Sequence, residues 1–177
     1  VTADASQITS VVIGAGADLG TVLTNAWYGA TNMTSFVCPF GVTSGVANFS
    51  NTWRNCNSLT SFPLIDTSSV TNFSVAWTGC SSLTSFPLIN TSSGLNFYAA
   101  WRECSSLTSF PLIDTSSSNS FSYAWLNCSS LTSFPLIDTS LGTDFRYTWY
   151  NCNSLTSFPL INTSSGTNFY SAWYNCT

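Results

Sequence analysis

The sequence contains no lysine and no histidine, and three arginines are its only basic residues. Charged side chains make up 6% of its 177 residues, against about 25% in an ordinary soluble domain. With three positive charges and a net charge of −4, it cannot neutralise a phosphate backbone, which argues against a nucleic-acid partner. The absence of histidine removes the usual general base and the commonest metal ligand. Serine nucleophiles have no histidine or lysine to activate them, and no tight C-x-x-C cluster suggests a metal site. No enzyme, cofactor or metal is expected. No apolar run approaches the ~18 residues of a membrane span. The opening Val1-Thr2-Ala3-Asp4-Ala5-Ser6 lacks the charged and apolar regions of a signal peptide, so either none existed or it has been removed.

Hydroxyls, amides and aromatics fill the gap. Serine and threonine together number 56 and asparagine 16, while 44% of residues are hydrophobic and 15% aromatic. Such an aromatic content is foreign to disordered chains and sufficient for one domain with a core.

The arrangement is periodic. Trp53, Trp77, Trp101, Trp125, Trp149 and Trp173 are each 24 residues apart. Cys56, Cys80, Cys104, Cys128, Cys152 and Cys176 follow them by three positions, and Phe49, Phe73, Phe97, Phe121, Phe145 and Phe169 precede them by four. Between these lies Ser-Leu-Thr-Ser-Phe-Pro-Leu-Ile-(Asp/Asn)-Thr-Ser, nearly unchanged in five copies from Ser58–Ser68 to Ser154–Ser164. A fixed period without length drift predicts a repeat solenoid of about six to seven stacked coils. Residues 1–30 read as a divergent N-terminal coil or cap, and 31–177 as the 24-residue repeats. Trp27 precedes Trp53 by 26 residues, which places a two-residue insertion within Val37–Val46. The chain stops at Cys176-Thr177 where the next repeat would begin, so it is expected to be a piece of a longer chain or to have that end covered by a partner.

Within one repeat, Leu59, Phe62 and Leu64 predict a short parallel strand centred on Phe62–Leu64, with Phe62 and Leu64 inward and Pro63 at the sheet margin. Phe73, Ala76, Trp77 and Cys80, spaced i, i+3, i+4, i+7, predict one face of a short helical turn. The tryptophans and cysteines then form an interior structural ladder, with the thiols buried and reduced. Asp and Asn interchange at 66, 90, 114, 138 and 162, which suits a turn cap and not a paired acid–base site.

The intervening positions diversify. All three arginines, the only glutamate and six of the seven tyrosines fall there. This variable outward face, with Arg54, Tyr98, Arg102, Glu103, Tyr123, Arg146, Tyr147, Tyr150, Tyr170 and Tyr174, is the candidate ligand-binding surface. Tyrosine gives rigid contact area and Ser and Asn adaptable hydrogen bonds, while arginine beside aromatics suits glycans and protein hot spots. Possible glycosylation sites are Asn32, Asn48, Asn72, Asn90, Asn127, Asn162 and Asn175. The threonine column Thr60, Thr84, Thr108, Thr132 and Thr156 leaves ice binding as a minor alternative.

Ser69-Val70-Thr71-Asn72-Phe73 and Trp77-Thr78-Gly79-Cys80-Ser81-Ser82-Leu83-Thr84-Ser85-Phe86 resemble the BspA-like leucine-rich repeats of bacterial surface proteins, including the mycoplasma lipoprotein type. The resemblance covers roughly residues 30–177. It departs in having Trp and Phe where those repeats often have Phe and Met, and Pro after the strand Phe. Such repeats also occur in phage fibres and decoration proteins. The resemblance implies a curved right-handed solenoid on a cell or virion surface, non-catalytic and used in attachment to a glycan or protein. The alternative is a structural subunit (fibre, decoration or spacer) that assembles with copies of itself.

Overall fold

The computed structural model describes residues 4–176. Residues 1–3 of the expected cap, and Thr177 of the Asn175 sequon, lie outside the described residues. Among those described there is no α-helix. The regular elements are the three-residue 3-10 helix Ala5–Gln7 and two short strands, β1 (Ser10–Val12) and β2 (Ser35–Val37), paired in parallel with Val11 opposite Phe36. The remainder is turn and loop, and it is periodic. Parallel bridges join Val22 to Asn48, Asn48 to Asn72, Asn72 to Asn96, and so on to Asn168.

The expected helical turn is replaced by consecutive tight turns. Left-handed backbone recurs two residues before and two after each tryptophan: Val75 (φ 59°) and Gly79 (φ 76°) flank Trp77, and Ala99 (φ 51°) and Glu103 (φ 63°) flank Trp101. A right-handed helix cannot contain such residues. Hydrogen bonding alternates instead. The N–H groups of Phe73, Val75, Trp77 and Gly79 donate to the carbonyls of Asn96, Tyr98, Ala100 and Arg102 in the following unit, at 2.8–2.9 Å. Those of Ala76, Thr78 and Cys80 donate back to Phe73, Val75 and Trp77 in their own unit, at 3.1–3.3 Å. Apolar spacing at 0, 3, 4 and 7 is therefore satisfied by a non-helical path, because alternate residues give their N–H to a neighbouring unit.

The expected strand fails for a different reason. Pro63 and its equivalents have no N–H to donate to a ladder. The chain bends instead, and Ile89 donates to the Pro87 carbonyl at 3.0 Å, as Ile113, Ile137 and Ile161 do to their prolines. The bend reverses the expected facing. Ile65 is buried, whereas Leu64 is 53% exposed and Leu88, Leu112 and Leu136 about equally so. Among the described residues the one strand pair lies where Val37 occupies the proline position.

The core is columnar. Successive indoles from Trp27 to Trp173 stack with centroids 5.4–5.9 Å apart, as for Trp77 on Trp101 (5.5 Å, 7°). Phe62 meets the Trp53 and Trp77 rings edge-on at 4.8 and 5.3 Å. Offset and T-shaped pairs of this kind add about 0.5–1.5 kcal/mol each beyond area burial. The indole N–H groups of Trp53, Trp77, Trp101, Trp125 and Trp149 are buried with no hydrogen-bond partner among the described residues. Gly94 makes room for this packing, since a Cβ there would lie 2.6 Å from Phe97 Cζ.

Two polar columns seal the interior. The thiols of Cys80, Cys104, Cys128 and Cys152 are fully buried, and each donates to the carbonyl of the tryptophan one unit back, as Cys104 Sγ does to Trp77 at 3.3 Å. Burial pushes the Cys56 and Cys128 thiols up to about 12. All the cysteines described are free. Thr67, Thr91, Thr115 and Thr139 are also buried, each hydroxyl donating to the carbonyl 23 residues on, as Thr91 does to Asp114 at 2.6 Å.

Candidate functional site

The consecutive turns around the tryptophans bring the variable positions to one side of the stack. Tyr98, Arg146, Tyr170 and Tyr174 are exposed, and Arg54, Arg102, Glu103, Tyr123, Tyr147 and Tyr150 are half-buried. Several other positions expected outward turn in: Thr78, Ala99, Ser122 and Leu126 are buried. The tight turns, unlike a helix, fold those side chains against the neighbouring units.

The tyrosines gather into a cluster. Tyr123 stacks on Tyr147 at 5.0 Å, and Tyr150 on Tyr174 at 5.1 Å. Tyr98 meets Tyr123, and Tyr147 meets both Tyr150 and Tyr170, edge-on at 5.3–5.7 Å. Positions one unit or three residues apart thus merge into one aromatic surface.

The arginines are held in three ways. Arg102 forms a two-point contact with Glu103 at 2.8 and 3.0 Å. Arg146 Nε contacts Asp144 and Ser122, both at 3.1 Å. Arg54 lies over the Tyr28 ring at 5.4 Å and donates to Asn51 at 3.3 Å, with no carboxylate partner among the described residues. Arg54, Tyr98, Arg102 and Glu103 together line a cleft of about 170 Å³.

A longer concavity runs beside it. One wall is the column Asn55, Gly79, Glu103, Asn127, Asn151 and Asn175; the other is Asn57, Ser81, Ser105, Ser129 and Asn153. Together they enclose about 490 Å³ across six consecutive units. Asn175 donates to Asn151, and Asn151 to Asn127, at 3.1 and 3.0 Å, forming an amide ladder. The composition has a local cause, because each residue of the first wall has positive φ, where Asn and Gly are the residues at least cost. The trough escapes a sequence reading because its two walls are separated along the chain by the buried cysteine.

The asparagine sequons differ in what they offer. Asn90 and Asn162 are exposed, but their side-chain oxygens accept from the N–H of Ser92 and Ser164. Asn48 and Asn72 accept in the same way from Ser50 and Ser74 and are half-buried. Asn32 donates to the Ser6 carbonyl at 2.8 Å. Asn127 and Asn175 lie in the trough. Asp114 and Asp138 serve as turn caps, and hydrogen bonds from the hydroxyl and N–H of Ser116 and Ser140 hold both carboxyls below their usual range.

On the proline side, Thr84, Thr108, Thr132 and Thr156 are exposed, each hydroxyl donating to the carbonyl of the preceding threonine at 3.2–3.5 Å. Beside them the leucine column from Leu64 to Leu160 stands in solvent. Among the described residues no group of His, Cys, Asp and Glu could hold a metal, and no helix is long and apolar enough to cross a membrane. No protein-family model, curated protein or solved structure matches the chain.

Proposed function

We propose that the chain is a leucine-rich-repeat-like solenoid that acts without catalysis as a recognition module on a cell or virion surface, attaching to a glycan or protein. The single observation that carries this reading is the clustering of six tyrosines, from Tyr98 to Tyr174, on a part of the repeat whose sequence varies from unit to unit. Exposed aromatic surface with hydrogen-bonding neighbours is the composition of a paratope, and its ring-to-ring contacts pre-order it, which lowers the entropic cost of binding. The test is binding to an array of glycans and surface proteins. Tyr98→Ala and Tyr123→Ala are expected to remove the signal while folding persists; unchanged binding in both rejects this face.

A second reading is favoured by the opposite side. Five leucines at one repeat position stand exposed in a column, and contiguous exposed apolar surface marks an interaction site. A structural subunit would bury that column against copies of itself. Imaging of the native particle decides between them, and a monomer with the leucine column in solvent counts against assembly.

A further inference from the structure

We infer that the amide-lined trough holds a linear, uncharged polysaccharide running along the stacking axis. This deepens the recognition reading and rests on it.

The amide wall presents both donors and acceptors, and the serine wall presents acceptors. In the amide ladder, Asn151 gives one N–H to Asn127 and one lone pair to Asn175. An amide has two donors and two lone pairs, so one of each remains for a ligand. The serines of the other wall use their protons on the preceding unit, as Ser105 does on the Ser81 carbonyl at 3.5 Å, and keep their lone pairs. A polyhydroxylated chain, in which every hydroxyl both gives and accepts, matches such a surface.

Charge narrows the class. Glu103 is the one ionisable group in the lining, and Arg102 neutralises it at 2.8 Å. An anionic chain finds no unpaired cation there, and a cationic one finds its carboxylate already engaged. Geometry narrows it further. The trough is open along six units, whose buried indoles follow one another at 5.4–5.9 Å. One pyranose of an extended polysaccharide advances by about one such step. An extended peptide advances ~3.3 Å per residue, so its polar groups fall out of register.

The experiment is titration with linear neutral oligosaccharides graded from dimer to hexamer, alongside a polyuronate and a neutral extended peptide of matched length. Affinity is expected to rise with each added sugar, to exceed that for the polyuronate and the peptide by roughly tenfold or more, and to fall at least as far in Ser105→Trp and Ser129→Trp, which fill the trough. Asn151→Asp, which replaces an amide donor by a charge without altering size, is expected to weaken binding several-fold with the tryptophan fluorescence unchanged. Absence of binding to every neutral oligosaccharide, affinity independent of length, preference for the polyuronate or peptide, or binding unchanged by these substitutions overturns the assignment. Ligand binding lost in Tyr98→Ala but kept in Ser105→Trp would leave the recognition face standing while removing the trough from it.

Discussion

The two sides of each repeat are held together by different parts of the chain. On the turn side, four main-chain N–H groups per unit, those of Phe73, Val75, Trp77 and Gly79, donate to the next unit. On the proline side one main-chain N–H per unit crosses, that of Thr84 to the Thr60 carbonyl at 3.3 Å; between Ser85 and Ser93 none does, and the Thr91 and Ser93 hydroxyls make the crossings. Main-chain bonds are indifferent to side-chain identity, so the turn side can change its residues and keep its cohesion. The proline side coheres through particular side chains and repeats nearly unaltered in five copies. Sequence variation thus follows the source of cohesion, and a diversifiable surface is a consequence of how the units bond.

The largest expected effect tests the core shared by both sides. Trp101→Ala should cost about 3–5 kcal/mol in urea unfolding, while Arg102→Ala next to it should change stability by less than about 0.5 kcal/mol. Equal losses would erase the distinction between interior and face.

The thiol column provides a pH test. A thiol in the unfolded chain ionises near about 8.5, whereas burial raises Cys56 and Cys128 to about 12. A raised folded value means that the protonated thiol stabilises the fold. That contribution is complete below the unfolded value and is lost as pH rises through the folded one. Stability should therefore decline from about pH 9 upward, and less steeply in Cys128→Ala. A flat denaturation midpoint across that range would contradict the buried column.

Thr115→Val sharpens the contrast on the proline side. It keeps the volume, removes the hydroxyl that bonds the Asp138 carbonyl, and should cost about 1–3 kcal/mol. On the turn side the same kind of change should go the other way. Val75 is β-branched at φ 59°, so Val75→Asn should raise stability by about 1 kcal/mol, read as a higher unfolding midpoint. The smallest effect belongs to the caps. The Ser116 and Ser140 donors lower the Asp114 and Asp138 carboxyls, so their contribution is present above the unfolded value and fades as acid passes through the folded one. Because both are exposed, Asp114→Asn should flatten the acid limb only slightly.

The register was legible in the sequence. The columns of Trp, Phe and Cys and the Asp/Asn caps follow from counting, because identical residues at identical spacing meet identical neighbours. Local conformation was not. Spacing at 0, 3, 4 and 7 reads as a helix, yet Val75 and Gly79 adopt left-handed backbone. Leu64 faces outward, and Ile65 is buried, because the bend at Pro63 breaks the period of two on which the inward reading of Leu64 rests. Among the candidate site residues, the tyrosines were visible as a set. The trough was not, since Asn127 and Ser129 become facing walls only when the intervening Cys128 turns inward.

By itself the sequence determined the period, the membership of each column and the chemistry of the surface, because those depend on which side chains recur and at what interval. The tertiary structure decided the backbone path, the facing of Leu64 and Ile65, and the walls of the trough. The reason is that each of these depends on where a main-chain N–H finds its acceptor, and here the acceptor lies 23 residues away in the next unit and not within the segment itself.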